Sequence, residues 1–240
     1  MDKKYELVKG TSIDYKNRTL YRIKALKDFG EVRKGDLGGY VESEKNLGQK
    51  YNCWVSGNAL VYGNARVYDN AEVYGNAIVY GNATIYDNAE VYDNARVFND
   101  AEVYDTALIY DNAEVYGNAR IFSNAEVYGS AWVYDNALVY DNAGVYGNAE
   151  VYDKAEVYGS ARVYDSAEII HNARIKSSSD YLVFKNTWSS GRNFTYTKSN
   201  KMWKVGCFYG TGEELVAKAY KDSKESGDKY KLYVDLVNSL

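Results

Sequence analysis

The chain has 240 residues, a formal net charge of -4, two cysteines and no proline. That length can bury a sizeable core in one large or two small domains, whereas two cysteines build no disulfide framework. No run approaches the roughly 20 apolar residues of a membrane span, and the N-terminus MDKKYELVKG lacks a signal-type apolar stretch, so the expected location is cytoplasmic.

Charge is unevenly spread. Residues 1–54 carry 12 basic and 8 acidic groups, residues 55–180 carry 7 and 19, and residues 181–240 carry 10 and 6. An acidic middle therefore lies between two mildly basic ends. Tyrosine is unusually abundant, at 27 residues.

Taken in chain order, residues 1–36, with YELVKG and TLYRIKALKDF, read as short strands that form an N-terminal cap. From residue 37 a six-residue period begins loosely: in LGGYVE, SEKNLG and QKYNCW, Val41, Leu47 and Cys53 take the slot that alanine holds later. From Val55 an aliphatic residue recurs in steps of six to Ile175 without an insertion, on the consensus V-Y-(G/D)-N-A-x. Counted from 37 to 180, this gives 24 hexads.

Six is an even number and strand side chains alternate, so A-x-V-Y sends Ala and Val to one face and x and Tyr to the other. The pair Gly/Asp then Asn supplies the corner: glycine lacks a Cβ, and asparagine tolerates left-handed backbone. Three hexads close an 18-residue triangular turn with Val and Ala inside, and 24 hexads make 8 turns. At about 4.7–4.9 Å per turn the prism is roughly 38 Å long. One turn costs about 1–2 kcal/mol per residue in backbone entropy while its three inward valines return about 1.5–3 kcal/mol each, so turns must stack and the ends must be capped.

Residues 181–240 read as a strand-plus-helix cap or recognition module, with strands in YLVFKNTW and NFTYTKSNKMWKVGCFYG. Thr211-Gly212-Glu213-Glu214 fits a capping box for a helix over about 213–224, stopped near Gly227, and a second helix is expected over 229–238.

The motif Val67-Tyr68-Asp69-Asn70-Ala71-Glu72 resembles the hexapeptide repeat of left-handed parallel β-helix proteins, and the handedness is implied by that resemblance. The segments RIKALKDF, VRKGDLGGYVESEKNLGQKYNCWV and GCFYGTGEELVAKAY are similar to the flanks of uncharacterised hexapeptide-repeat proteins of phages and bacterial genomes. The fold expected is an all-β solenoid: a left-handed parallel β-helix over 37–180, of about 8 triangular coils, between a small N-terminal cap and a C-terminal α+β cap. The resemblance also implies frequent trimers, with a dimer as the alternative homo-oligomer for this chain, and the phage association points toward a protein that inhibits or sequesters a host factor.

Many hexapeptide-repeat relatives are acyltransferases, which use a catalytic histidine, or carbonic anhydrases, which bind metal through three. This chain has one, His171, in a Gly/Asp corner slot, and its unbroken register leaves no loop to enclose a substrate. No enzyme, cofactor or metal is expected. Asp69, Asp87 and Asp105 stack on one column that could attract Ca²⁺, but each is better read as capping a backbone N–H in its own turn. Gly210-Thr211-Gly212 lacks a P-loop lysine. Lys185, Arg192, Lys198, Lys201, Trp203 and Lys204 form a basic, aromatic set too weakly charged to indicate nucleic acid.

The outward tyrosines fall into three columns, beginning at Tyr62, Tyr68 and Tyr74. They stack between turns, or supply an adhesive surface, and the two are compatible. The x slots on the first column include Leu60, Ile78 and Trp132 beside Tyr80, Tyr116, Tyr134 and Tyr152, and these seven residues are the candidate protein interface. The expected function is non-catalytic binding of another protein through an acidic, tyrosine-covered rod; the competing readings are a structural spacer or assembly subunit, and a divergent acyltransferase.

Overall fold

In the computed structural model, which describes residues 3–240, strands β1 (Tyr5–Tyr15) and β2 (Arg18–Ala25) form an antiparallel hairpin. Strand β3 (Leu37–Val41) pairs antiparallel with β2 and, on its other edge, parallel with Leu60–Val61. The repeat then lays down 21 two-residue strands, from β4 (Trp54–Val55) to β24 (Arg174–Ile175), on three parallel faces. Face one holds the strands from Leu60–Val61 to Glu168–Ile169, face two those from Trp54–Val55 to Arg162–Val163, and face three those from Arg66–Val67 to Arg174–Ile175.

Successive strands on a face are joined by backbone hydrogen bonds between coils: the amides of Arg66, Tyr68 and Asn70 donate to the carbonyls of Ala83, Ile85 and Asp87 at 2.9, 3.1 and 2.8 Å. The regular partners are 18 residues apart, as in Arg66↔Thr84 and Val67↔Ile85. Alanine and aliphatic slots are buried along the whole rod, and together they make one continuous core. The chain is a parallel β-solenoid of about eight coils.

Two details of the repeat differ from the sequence expectation. Val41 pairs with Val61 and Leu47 with Val67, so both occupy the aliphatic slot rather than the alanine slot. The first coil is consequently two residues longer than the others, and the excess lies between Leu47 and Val55. Gly39 takes the small inner position instead, where an added Cβ would lie 2.7 Å from the Ala59 carbonyl oxygen and 2.8 Å from Val55 Cγ1. Cys53 does sit in the alanine slot, immediately before Trp54, which pairs with Glu72.

The corner is the second difference. The left-handed residue is the Gly/Asp position, not the asparagine: Asp69, Asp111 and His171 have φ of 58°, 56° and 56°, and Gly75 and Gly81 have 70° and 73°. Aspartate is among the few L-residues that visit this region readily. The asparagines instead form amide ladders up the edges, with Asn64 Nδ2 donating to Asn82 Oδ1 at 3.0 Å and Asn70 to Asn88 at 3.2 Å.

Both ends are closed by side chains. At the C-terminal end, backbone amides that would face a further coil donate to side-chain oxygens: Arg162 to Ser178 Oγ, Glu168 to Thr195 Oγ1, Arg174 to Ser199 Oγ and Lys176 to Asp180 Oδ2, at 2.8–3.0 Å. Tyr181, six residues after Ile175, plugs the last interior position and its hydroxyl donates to the Arg162 carbonyl at 3.0 Å. Strands β25 (Tyr181–Lys185), β26 (Asn193–Thr197), β27 (Met202–Val205) and β28 (Phe208–Gly210) form an antiparallel sheet that carries helices α1 (Gly212–Asp222) and α2 (Lys224–Asn238) on a core of Phe194, Trp203, Leu215 and Val234.

The capping box at Thr211 and Glu214 forms as expected, but the helix does not stop at Gly227. Ser223 both ends α1, donating its N–H to Ala219 O, and caps α2 by accepting from the Ser226 amide through Oγ. Gly227 lies inside α2, where a Cβ would come within 2.2 Å of Tyr220 Cδ1. It is a packing glycine.

Deleting residues 79–96 should remove one coil and leave a folded, shorter rod, whereas deleting a single residue in that span reverses inside and outside. Thermal melting of the two deletants checks this; equal loss of stability would contradict the coil register. Ala113, fully buried, should not tolerate leucine, and Ala113→Leu is expected to cost about 1–3 kcal/mol by overpacking. Glu114→Leu removes only a partly exposed ion pair with Arg96, so it should change the unfolding free energy from denaturant titration by about 0–1 kcal/mol.

Candidate functional site

The outer surface of the rod is organised by its tyrosines. In all three columns the rings lie parallel, with centroids 4.8 Å apart for Tyr74–Tyr92, 4.9 Å for Tyr86–Tyr104 and 4.7 Å for Tyr134–Tyr152. Each ring face is covered by the ring above and below it. The columns therefore present ring edges and hydroxyls, not flat aromatic platforms.

The hydroxyls are engaged across each face. Tyr74 donates to Glu90 Oε2 at 2.8 Å, Tyr134 to Glu150 at 3.2 Å and Tyr140 to Glu156 at 3.2 Å. Where arginine replaces glutamate the direction reverses, with Arg96 and Arg120 donating to the hydroxyls of Tyr80 and Tyr104 at 3.1 and 2.7 Å. Burial, followed by the nearby carboxylates and phenols, pushes the phenols of Tyr74, Tyr110 and Tyr134 well above the usual range. Burial pushes Tyr62 up to about 12, and Tyr181 to about 12.

The seven candidate interface residues do not form one open patch. Leu60 is buried under the N-terminal hairpin, in a cluster with Leu20 and Tyr62, and Ile78 and Tyr80 pack at the edge of the same cluster. The hairpin folds back over the first coils of face one, so these residues meet Ile13 and Tyr15 of their own chain. Tyr116, Tyr134 and Tyr152 stay in the ladder, half-buried. Trp132 alone stands free: its side chain is 44% exposed, with Glu114 and Glu150 as its strand partners on neighbouring coils.

Other candidates are likewise tied into the fold. His171 Nδ1 lies 2.7 Å from Asp153 Oδ2, and its ring meets Tyr209 edge-on with centroids 4.2 Å apart, at the junction of the last coils with the C-terminal sheet. The corner aspartates cap the next coil rather than their own turn: the amides of Ser123, Gly129 and Gly159 donate to Asp105, Asp111 and Asp141, each at 3.0 Å. No convergent group of three or more His, Cys, Asp or Glu residues occurs among the described residues. Within the basic set, Trp203 is core and Lys204 pairs with Glu168 at 3.0 Å, while Lys185, Arg192, Lys198 and Lys201 remain exposed.

Two features escaped the sequence reading. Leu232, Leu236 and Leu240 are all exposed and form a stripe along α2 and just beyond it; their spacing of four was visible in the sequence. Lys4, fully buried against the first coil, had no sequence signal, because burial of a lysine depends on what folds over it.

Segments 55–69, 65–81, 71–87 and 131–147 match the repeat family described as YdcK Beta solenoid repeat. No curated protein matches the chain. The chain is a β-solenoid repeat protein, and both matched regions lie within its coils.

The raised phenols set a pH dependence. A phenol that ionises near 10 when unfolded and near 12 when folded favours the fold fully below pH 10, and that contribution is lost as pH rises through 12. Stability should therefore be insensitive to phenol ionisation below pH 10 and fall steeply between 10 and 12. Denaturant midpoints followed together with phenolate absorbance check this; unfolding that precedes phenolate formation would contradict it.

Proposed function

We propose that this chain is a non-catalytic binding protein whose acidic, tyrosine-laddered rod engages another protein through face one. One observation carries the reading: Trp132 is 44% exposed in a column where its partners are Glu114 and Glu150. Everywhere else on that face the large apolar x-slot side chains are covered by the hairpin. A solvent-facing indole beside half-buried tyrosine edges has the make-up of an interface anchor with a polar rim. The neighbouring glutamates favour a partner with basic groups around an apolar pocket.

The rod offers rigidity for such a role. Coils stacked in register fix the distance of Trp132 from both caps, and the unbroken period from Val55 to Ile175 leaves the face free of insertions. Together with the resemblance of the flanks to phage proteins, this favours capture or inhibition of a host protein. The leucine stripe on α2 favours a second reading, in which the chain is an assembly subunit that forms a dimer or trimer.

Trp132→Glu should abolish capture of a protein partner from a host lysate, or lower the native mass, while the melting midpoint changes little. Leu236→Glu separates the readings. If only this second variant lowers the native mass and Trp132→Glu keeps every captured partner, the assembly reading replaces the binding one.

A further inference from the structure

The N-terminal end of the rod holds a buried pair of reactive groups that the binding role does not use. Lys4 reaches under the first coil, where its Nζ lies 2.7 Å from the Cys53 carbonyl oxygen, 3.3 Å from that of Tyr51 and 3.2 Å from Cys53 Sγ. Both side chains are buried, Lys4 to 1% and Cys53 to 0% exposure. The Phe29 ring, 4.8 Å from Nζ, covers the other side. A surface cleft lined by Lys4, Lys27, Phe29, Gln49, Lys50 and Tyr51 ends at Lys4, with Cys53 fully buried behind it, so a peroxide reaches the sulfur only by passing the amine.

Cysteine is also out of place by the logic of the repeat. The slot it fills belongs to alanine in every regular coil, where a methyl suffices. Packing therefore does not demand a thiol; besides the amine, Sγ meets only the Gly48 and Lys50 carbonyl oxygens, at 3.4 and 3.7 Å.

We propose that Lys4 and Cys53 are a modification site, at which hydrogen peroxide joins the two side chains through a nitrogen–sulfur bond. In the first step the thiol proton passes to the adjacent amine, and the thiolate attacks one peroxide oxygen. The S–O bond forms as the O–O bond breaks, and the departing hydroxide takes the proton back from the ammonium as water. Sulfur is now oxidised to the sulfenic acid. The neutral amine, already within the 3–3.5 Å of a near-attack arrangement, donates its lone pair to sulfur. The S–N bond forms, the S–O bond breaks, and the leaving hydroxide removes one N–H proton as a second water. The sum is thiol plus amine plus one hydrogen peroxide giving the sulfenamide plus two waters. Burial pushes the Lys4 ammonium down and the Cys53 thiol up, so the proton transfer of the first step is uphill and the thiolate is a transient species, whereas the neutral amine of the second step is favoured. The link ties the start of the hairpin to the first coil, closing the end from which the solenoid can unzip.

The test treats the folded Cys207→Ser variant, which removes the exposed second cysteine, with one equivalent of hydrogen peroxide and maps peptides without reductant. The expected product is lighter than the starting protein by two hydrogen atoms, contains a peptide joining Lys4 to Cys53, and reverts with dithiothreitol. Cys53→Ala places the repeat's own residue in the slot, so it should fold normally and give no link. The guanidinium-unfolded chain should not form it either. Recovery of Cys53 as a free thiol or as sulfinic acid with Lys4 unjoined, or equal linking in the unfolded chain, overturns the proposal.

Discussion

The hydrogen bonds between coils fix everything else in this molecule. Because each regular strand bonds to the strand 18 residues along, every side chain has its counterpart from the next coil directly above it. A sequence that repeats must therefore choose residues that can stack on themselves. Valine and alanine do so inside, tyrosine rings do so face to face, and asparagine amides do so by donating to one another. Glutamate cannot, since like charges opposite each other repel. Most x slots accordingly interleave glutamate with arginine, leucine or threonine, as in Arg66, Thr84, Glu102, Arg120 on face three, and glutamate meets glutamate at Glu72–Glu90 and Glu150–Glu168. Where Glu72 does sit beneath Glu90, burial and the neighbouring charge raise its pKa.

Stacking solves the middle of the rod and leaves its ends open. The last coil has outward-facing amides with no coil to receive them, and a repeat cannot supply an acceptor because every repeat would present the same donors again. The chain breaks its period there and places Ser178, Thr195, Ser199 and Asp180 oxygens on those donors. At the first coil the problem is inverted, and a buried donor serves: Lys4 Nζ donates to the carbonyls of residues 50, 51 and 53. A solenoid edge left bare would template pairing with another chain.

What was legible in the sequence follows this division. The period-six pattern told inside from outside for every residue between Val55 and Ile175, because the periodicity of strands is a local property. The extra two residues of the first coil were hidden, because Val41 and Leu47 keep a spacing of six from each other and only their partners reveal the shift. The fate of Leu60 was hidden for a different reason: an apolar residue on an outward face looks like an interface until the hairpin carrying Leu20 is placed upon it. The helix break was misplaced from Ser223 to Gly227 because glycine is the usual stop signal, and here tight contact with Tyr220 explains it instead. The left-handed corner was located, but assigned to Asn rather than to the preceding Asp or Gly.

The same logic bears on the proposed binding face. Residues that repeat are accounted for by stacking, so specific recognition has to come from residues that break the repeat without serving the ends. Ser178 and Thr195 break it and are consumed by capping. Leu60 and Ile78 break the charged pattern of the x slots and are covered by the hairpin. His171 breaks the corner pattern and is held by Asp153 and Tyr209. Trp132 breaks the x-slot pattern in the middle of face one, far from either cap, and no element of the chain folds over it. An indole there adds apolar surface that the fold leaves in water, against the glutamate or arginine that neighbouring coils show the position accepts. That unfavourable choice is the physical reason to place the proposed recognition on face one rather than on faces two and three, where the apolar x-slot residues Trp54, Leu108 and Leu138 are buried or half-buried.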